Sequence, residues 1–218
     1  MARPATLSRE RIVEAAVALV VERGADQLTV RALGDALGCD PSALYRHFRN
    51  VDDLHRAVGD FFLADVDTAA RPREGWRAAV KRLCAELRAA QLRQPRLAQL
   101  VRSAPTRLGN ELALSEALLR ELRRGGFRPP AAVRAYHALI EFTVGSAAID
   151  AAMAQLPVAA REAVYGSWRD DYATLDPGAY PQLHAAAPLL YVGSADERFA
   201  DAVDLMLAGL VARRTAAH

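Results

Sequence analysis

Proline and glycine cut this chain into blocks of helical length, and no run of Val, Ile and Thr alternates with polar residues over the length of a strand. Each proline removes a helical amide and each glycine disfavours helical backbone, so the stretches between them are the natural helices. Within them apolar residues recur at three- and four-residue spacing: Ile12, Ala15, Ala16, Leu19 and Val20 before Gly24, and Phe199, Val203, Met206, Leu207, Leu210 and Val211 in the last block. Forty-six alanines, the strongest helix former, push the same way. The pattern predicts an all-α fold.

Caps refine the boundaries. Ser8 caps a first helix that Gly24 closes, Thr29 caps a second from Val30 to Leu37, and Asp40 caps a third with Pro41 at its first position, running through Ser42, Leu44, Tyr45 and His47. Asn50 starts a long fourth helix through Val66. Further helices are predicted from Trp76 to Gln94, over a short piece before Pro105, from Thr106 to Arg124, from Pro130 to Gln155 and from Ala195 to Arg213. Residues 157–188 read as a broken, aromatic, proline-rich stretch.

Composition and spacing then exclude whole classes of function. Basic and acidic residues nearly cancel, 28 against 26, so a nucleic-acid site must be a local patch. The two cysteines, Cys39 and Cys84, show no CxxC or Cys/His spacing, which suggests neither a disulfide framework nor a zinc site and fits a reducing cytoplasm. No apolar run reaches about 18 residues, so no membrane partner and no targeting elsewhere are expected. Five scattered histidines and the lack of HExxH, GxSxG or a paired-carboxylate signature leave no catalytic constellation; no enzyme activity, metal or cofactor is expected.

Residues 29–48, TVRALGDALGCDPSALYRHF, carry the one specific signal. Two short helices joined by a tight turn pack at a steep angle, which demands a small residue on the first, glycine at the turn and an apolar residue on the second. Gly34, Gly38 and Leu44 supply these, and Leu33, Leu37 and Phe48 add the core beneath them. The exposed face then presents Pro41, Ser42, Ala43, Tyr45, Arg46 and His47 to a major groove. Arg46 suits a guanine edge, Ser42 a base or phosphate, and Tyr45 and His47 phosphate oxygens, while Thr29 and Arg31 face the DNA backbone. An ordinary αα-hairpin with a solvated face has the same spacing, so an all-α binding protein or enzyme with an incidental hairpin stands as the alternative.

The run LTVRALGDALGCDPSALYRHFRNVDDL closely resembles the helix-turn-helix of the TetR family of bacterial transcriptional regulators, with Leu44-Tyr45-Arg46-His47-Phe48 matching its L-Y-x-H/Y-F hallmark. More loosely, Trp76, the Arg-Gly-Gly-Phe turn at 124–127, Phe142-Thr143-Val144-Gly145 and the ending from Phe199 to Leu210 resemble the ligand-binding domain of the tetracycline-repressor branch. Where many members carry a phosphate-contacting Lys at the start of the fourth helix, this chain has Val51-Asp52-Asp53, so that either Arg49 substitutes or the contact is missing.

The resemblance implies a DNA-binding domain over 1–50 and a helical ligand-binding and dimerisation domain over 51–218. It further implies a cytoplasmic homodimeric repressor that binds a palindromic double-stranded DNA operator and is released by a small, hydrophobic molecule. By the same resemblance the pocket lining includes Leu83, Leu87, Leu100, Leu118 and Ile149, with Asp67, Ser103, His137 and Glu141 as polar groups. Trp168 and Tyr172 are aromatic candidates for that pocket. Tetracycline-binding relatives hold a magnesium–drug complex through His and Glu and the drug through Asn; the positions here are Leu100, Ile149 and Leu83, so a magnesium-independent effector other than tetracycline is expected. The long helix containing Ala138, Gly145, Ala148 and Ala152, with Leu207, Leu210 and Val211 of the last helix, is the candidate dimer face, with core within one chain as the alternative for some of these residues.

Overall fold

The computed structural model describes residues 7–101 and 105–216; these hold helices, turns and connections and no strand. The chain divides into two compact units, Met1–Gly145 and Ser146–His218. The first opens with α1 (Arg9–Arg23), whose Ser8 hydroxyl accepts the Arg11 amide at 3.2 Å. Its buried face is Ile12, Val13, Ala16, Leu19 and Val20. Gly24 ends it at φ +100°, a backbone that side-chain-bearing residues rarely adopt.

α2 (Val30–Leu37) is capped by the Thr29 hydroxyl, which accepts the Ala32 amide at 3.1 Å, and ends at Gly38 in the left-handed conformation. The next segment differs from the α-helix expected: Pro41–Arg46 is a 3₁₀ helix. Six residues held between the Asp40 carboxylate on the Ser42 amide and the paired amides of His47 and Phe48 on the Leu44 carbonyl leave little length for an α-helical ladder. α3 (Val51–Leu63) is capped by Asn50 as its sequence suggests, but stops at Leu63 rather than running through Val66.

α4 (Trp76–Arg93), the short α5 (Pro95–Ala98) and α6 (Gly109–Arg124) follow, with α4 and α6 packed along their lengths. α6 starts three residues later than expected because Arg107 sits at φ +59° and the Thr106 hydroxyl is drawn to Asp60 at 3.0 Å. At the far end a Cβ on Gly125 would meet the Trp76 ring at 2.7 Å, and that ring packs edge-on against Phe127. Trp76 and this turn are among the residues that carry the looser resemblance. α7 (Pro129–Ala154) is one uninterrupted helix that crosses from the first unit into the second.

In the second unit the stretch expected to be broken contains a regular helix, α8 (Val158–Ala173). Its prolines lie at the borders: Pro157 precedes the first turn, and Pro177, Pro181 and Pro188 all come after the last. α9 (Pro181–Ala186) and α10 (Ala195–Ala216) complete the unit. Phe199, Val203 and Leu207 form the buried stripe of α10. Among the described residues no single helix is long and apolar enough to cross a membrane.

Candidate nucleic-acid interface and regulatory domain

The two short elements at 30–46 meet as closely as their glycines permit. A Cβ on Gly34 would lie 3.0 Å from the Cys39 carbonyl oxygen and 3.1 Å from the Pro41 ring, so any larger residue would push α2 and the 3₁₀ segment apart by a few tenths of an ångström. Leu33, Leu44 and Phe48 are buried beneath the crossing, and Leu37 is half-buried. Ser42, Tyr45 and Arg46 are exposed, with Tyr45 at 54%. Pro41, Ala43 and His47 are half-buried, so the outward face is narrower than the six residues expected from sequence. Thr29 and Arg31 are exposed at the start of α2.

A residue that sequence reasoning passed over fixes this surface in place. Arg9, on the first turn of α1, donates to the His47 carbonyl oxygen at 2.7 Å, lies 4.2 Å from the Phe48 ring centroid and comes within 3.9 Å of the Asp53 carboxylate. One guanidinium thus ties α1, the end of the 3₁₀ segment and α3 together. Asp53 does not stand as a repulsive charge toward phosphate: it is buried, accepts the Arg49 amide at 3.2 Å and pairs with Arg56 at 3.1 Å. Burial opposes its charge, but the Arg49 amide and the Arg9 and Arg49 guanidiniums outweigh burial and hold the carboxyl below its ordinary value. The Arg49 side chain is itself 81% exposed, with its Nε 3.6 Å from the Asp53 carboxylate.

Polar contacts at two helix ends help to join these first helices to the rest of the unit. Arg96 of α5 donates to the Val21 and Glu22 carbonyl oxygens at 2.6 and 2.8 Å, capping the C-terminus of α1. The Asp60 carboxylate of α3 accepts the Asn110 and Glu111 amides at 3.2 and 3.0 Å, capping the N-terminus of α6, and the Asp60 carbonyl oxygen accepts the Asn110 side chain.

The ligand-site candidates fall into three environments. Leu83, Leu87 and Leu118 are buried in the α4 and α6 layer, and Leu100, just after α5, is half-buried. Beside them Cys84 is buried against the Thr143 hydroxyl of α7, and burial raises its thiol pKa to about 11. His137 and Glu141 do face each other, with Nδ1 and Oε1 4.0 Å apart, but on a solvent-facing side of α7. Asp67 is exposed and bound to Arg71 at 2.8 Å, and Ile149 is 81% exposed. Trp168 and Tyr172 meet in an aromatic cluster with Tyr165, around Tyr191. Ser103 lies outside the described residues. Among the described residues no three His, Cys, Asp or Glu side chains converge as a metal site.

Residues 12–58 match the family model of bacterial regulatory proteins of the tetR family, and residues 68–214 that of tetracyclin repressor-like C-terminal domains. The chain is 31% identical over 208 residues to the tetracycline repressor protein class C of Escherichia coli, covering 94% of this chain and 90% of that one. Apo ActR from Streptomyces coelicolor is similar over the whole of both chains, with TM-score 0.85 and 25% identity. The transcriptional regulator SCO7222 of the same organism gives TM-score 0.80 at 30% identity, covering 96% of this chain and all of that one. With a helix-turn-helix at its start and a tetracycline repressor-like domain over most of its remaining length, this chain belongs to the tetR family of bacterial transcriptional regulators.

Proposed function

We propose that the chain is a homodimeric repressor that reads a palindromic operator and lets go of it when a small, largely apolar molecule binds its regulatory domain. The observation that carries this reading is the exposed Ser42, Tyr45 and Arg46 surface held from behind by Arg9. In this reading the reader comprises residues 1–50 and the sensing and dimerising domain residues 51–218. Arg46 donates to a base edge, while Tyr45, His47, Thr29, Arg31 and Arg49 hold phosphates and set the register.

Dimerisation is supported by apolar side chains left in water. On α10, Leu205 is 74% exposed, about 200° round the helix from buried Val203. On α7, Ile149 stands in the same relation to buried Ala147. A second copy is the natural cover for both, which moves Ile149 from the pocket to the interface. Leu207 is buried within its own unit and leaves the proposed interface, where half-buried Leu210 and Val211 remain.

The effector wall is assigned to Leu83, Leu87 and Leu118, where burial supplies most of the affinity. Small-molecule complexes of structural neighbours support this class of signal: ActR is described with actinorhodin and with (S)-DNPA, and a substituted TetR of Acinetobacter baumannii with minocycline. Release requires the effector to favour a state in which the α3 helices no longer present the two readers to DNA, and the Asp60 cap on α6 is the joint through which that preference passes. Operator release by candidate effectors, measured by fluorescence anisotropy with EDTA and again with excess magnesium, tests the assignment. Release unaffected by EDTA is expected. A strict magnesium requirement, or tetracycline acting at low micromolar concentration, would overturn it.

A further inference from the structure

The first unit contains an open groove of about 480 Å³ between α1, α3 and the start of α6, away from the buried α4 and α6 leucines. Its size is that of a site for a drug-sized molecule. Val13 and Leu108 supply apolar wall, and Phe61 is 47% exposed, a large hydrophobic residue for α3 to leave in water.

The charge around it is one-sided. One guanidinium, that of Arg9, borders the groove against three carboxylates, Glu10, Glu14 and Asp60. Arg9 is engaged by the His47 carbonyl oxygen, the Phe48 ring and Asp53, and Asp60 by the α6 cap. Glu10 and Glu14 lie one turn apart on the exposed side of α1, and among the described residues neither forms an ion pair with a guanidinium. A ligand here therefore meets the half-exposed Phe61 side chain and two exposed carboxylates without an ion-pair partner among the described residues, of which Glu10 is also hydrogen-bonded to Ser8.

We propose that this groove is a second small-molecule site, distinct from the effector wall, and that it takes an amphipathic organic cation: a flat apolar body against Phe61, Val13 and Leu108 with its positive charge beside Glu10 and Glu14. The cation gains from both partners, since the ring face attracts positive charge as the carboxylates do. An anion of the same shape meets repulsion instead. Because the groove borders the Asp60 cap, its occupant touches the joint between the reader helices and α6.

Berberine, a flat quaternary cation whose emission rises on leaving water, is the probe, titrated into the full-length protein without DNA. Saturable binding is expected, weakened about tenfold or more by Glu10→Gln/Glu14→Gln and by Phe61→Ala, with melting temperatures recorded to show that the variants remain folded. The anionic dye 8-anilinonaphthalene-1-sulfonate should not displace it. No saturable binding up to about 100 μM, unchanged affinity in the folded variants, or displacement by the anionic dye would each overturn the proposal. Operator binding is measured in parallel, so that loss of the groove and loss of the repressor reading are distinguishable.

Discussion

The Asp60 carboxylate of α3 receives the backbone amide of Glu111 in the first turn of α6 at 3.0 Å, across 51 positions of sequence. Asn110 and Thr106 donate to the same carboxylate, so one side chain satisfies a helix end that has no cap of its own. Asp60→Ala strands these donors and should cost about 1 to 3 kcal/mol, lowering the melting temperature by roughly 2 to 4 °C per kcal/mol. Asp60→Asn, which keeps a carbonyl acceptor, should fall between. Calorimetry showing an unchanged melting temperature for Asp60→Ala would remove the cap from the account.

Arg9 and Arg46 should fail differently. On the proposed reading, in which Arg46 donates to a base edge, Arg46→Ala should relax base preference at one half-site position, by about 1 to 3 kcal/mol there. Arg9 touches the His47 carbonyl oxygen and the Phe48 ring from within. Arg9→Ala should therefore weaken all operators alike, and Arg9→Lys should not restore them, since an ammonium lacks the planar fork that stacks and donates at once. Tyr45→Phe and His47→Ala should also act uniformly. Titrations on single-base operator variants separate the cases; position-specific loss for Arg9→Ala contradicts its assigned role.

Leu205→Glu and Ile149→Glu place charge where the isolated chain is already exposed, so the helical signal of the folded chain should persist. Buried in a dimer, the same charges are strongly unfavourable. Sedimentation at micromolar concentration should show a dimer for the parent and a shift toward monomer for each variant, with loss of operator binding. A parent that sediments as a monomer yet binds its operator fully would refute the interface.

Cys84 gives the structure a pH signature at the alkaline end. Burial keeps its thiol protonated up to about pH 11, against an ordinary value of 9.0, with the Thr143 hydroxyl acting weakly in the other direction. The unfolded chain loses this proton first, so the contribution to stability is complete below about pH 9 and declines through about pH 11, by of order 2 kcal/mol. The difference in unfolding free energy between the parent and Cys84→Ala should narrow over that window. A constant difference would show that the thiol is not held in this environment.

Sequence reading reached what is local. The Gly34, Gly38 and Leu44 triad, and the caps Ser8, Thr29, Asp40 and Asn50, act within a few residues, so their spacing alone reports the reader. Arg9 and Asp60 act across 38 and 51 positions through single polar contacts, which leave no periodicity to detect. Ile149 shows another limit: the resemblance puts it in the pocket and the structure leaves it 81% exposed, because α7 carries apolar residues on more than one face and only burial separates Ala147 from Ile149. The regular helix Val158–Ala173 was hidden by prolines that lie outside its turns.

The most direct test of the central claim is selection of DNA by the full-length protein from a random duplex pool. Two readers related by a two-fold axis must enter major grooves about 34 to 36 Å apart, or DNA adjusted to fit them. Enrichment of one two-fold symmetric sequence is expected, with Arg46→Ala blurring the same position in both half-sites. Enrichment of no sequence, or of a single asymmetric half-site bound by one protomer at full affinity, would contradict it.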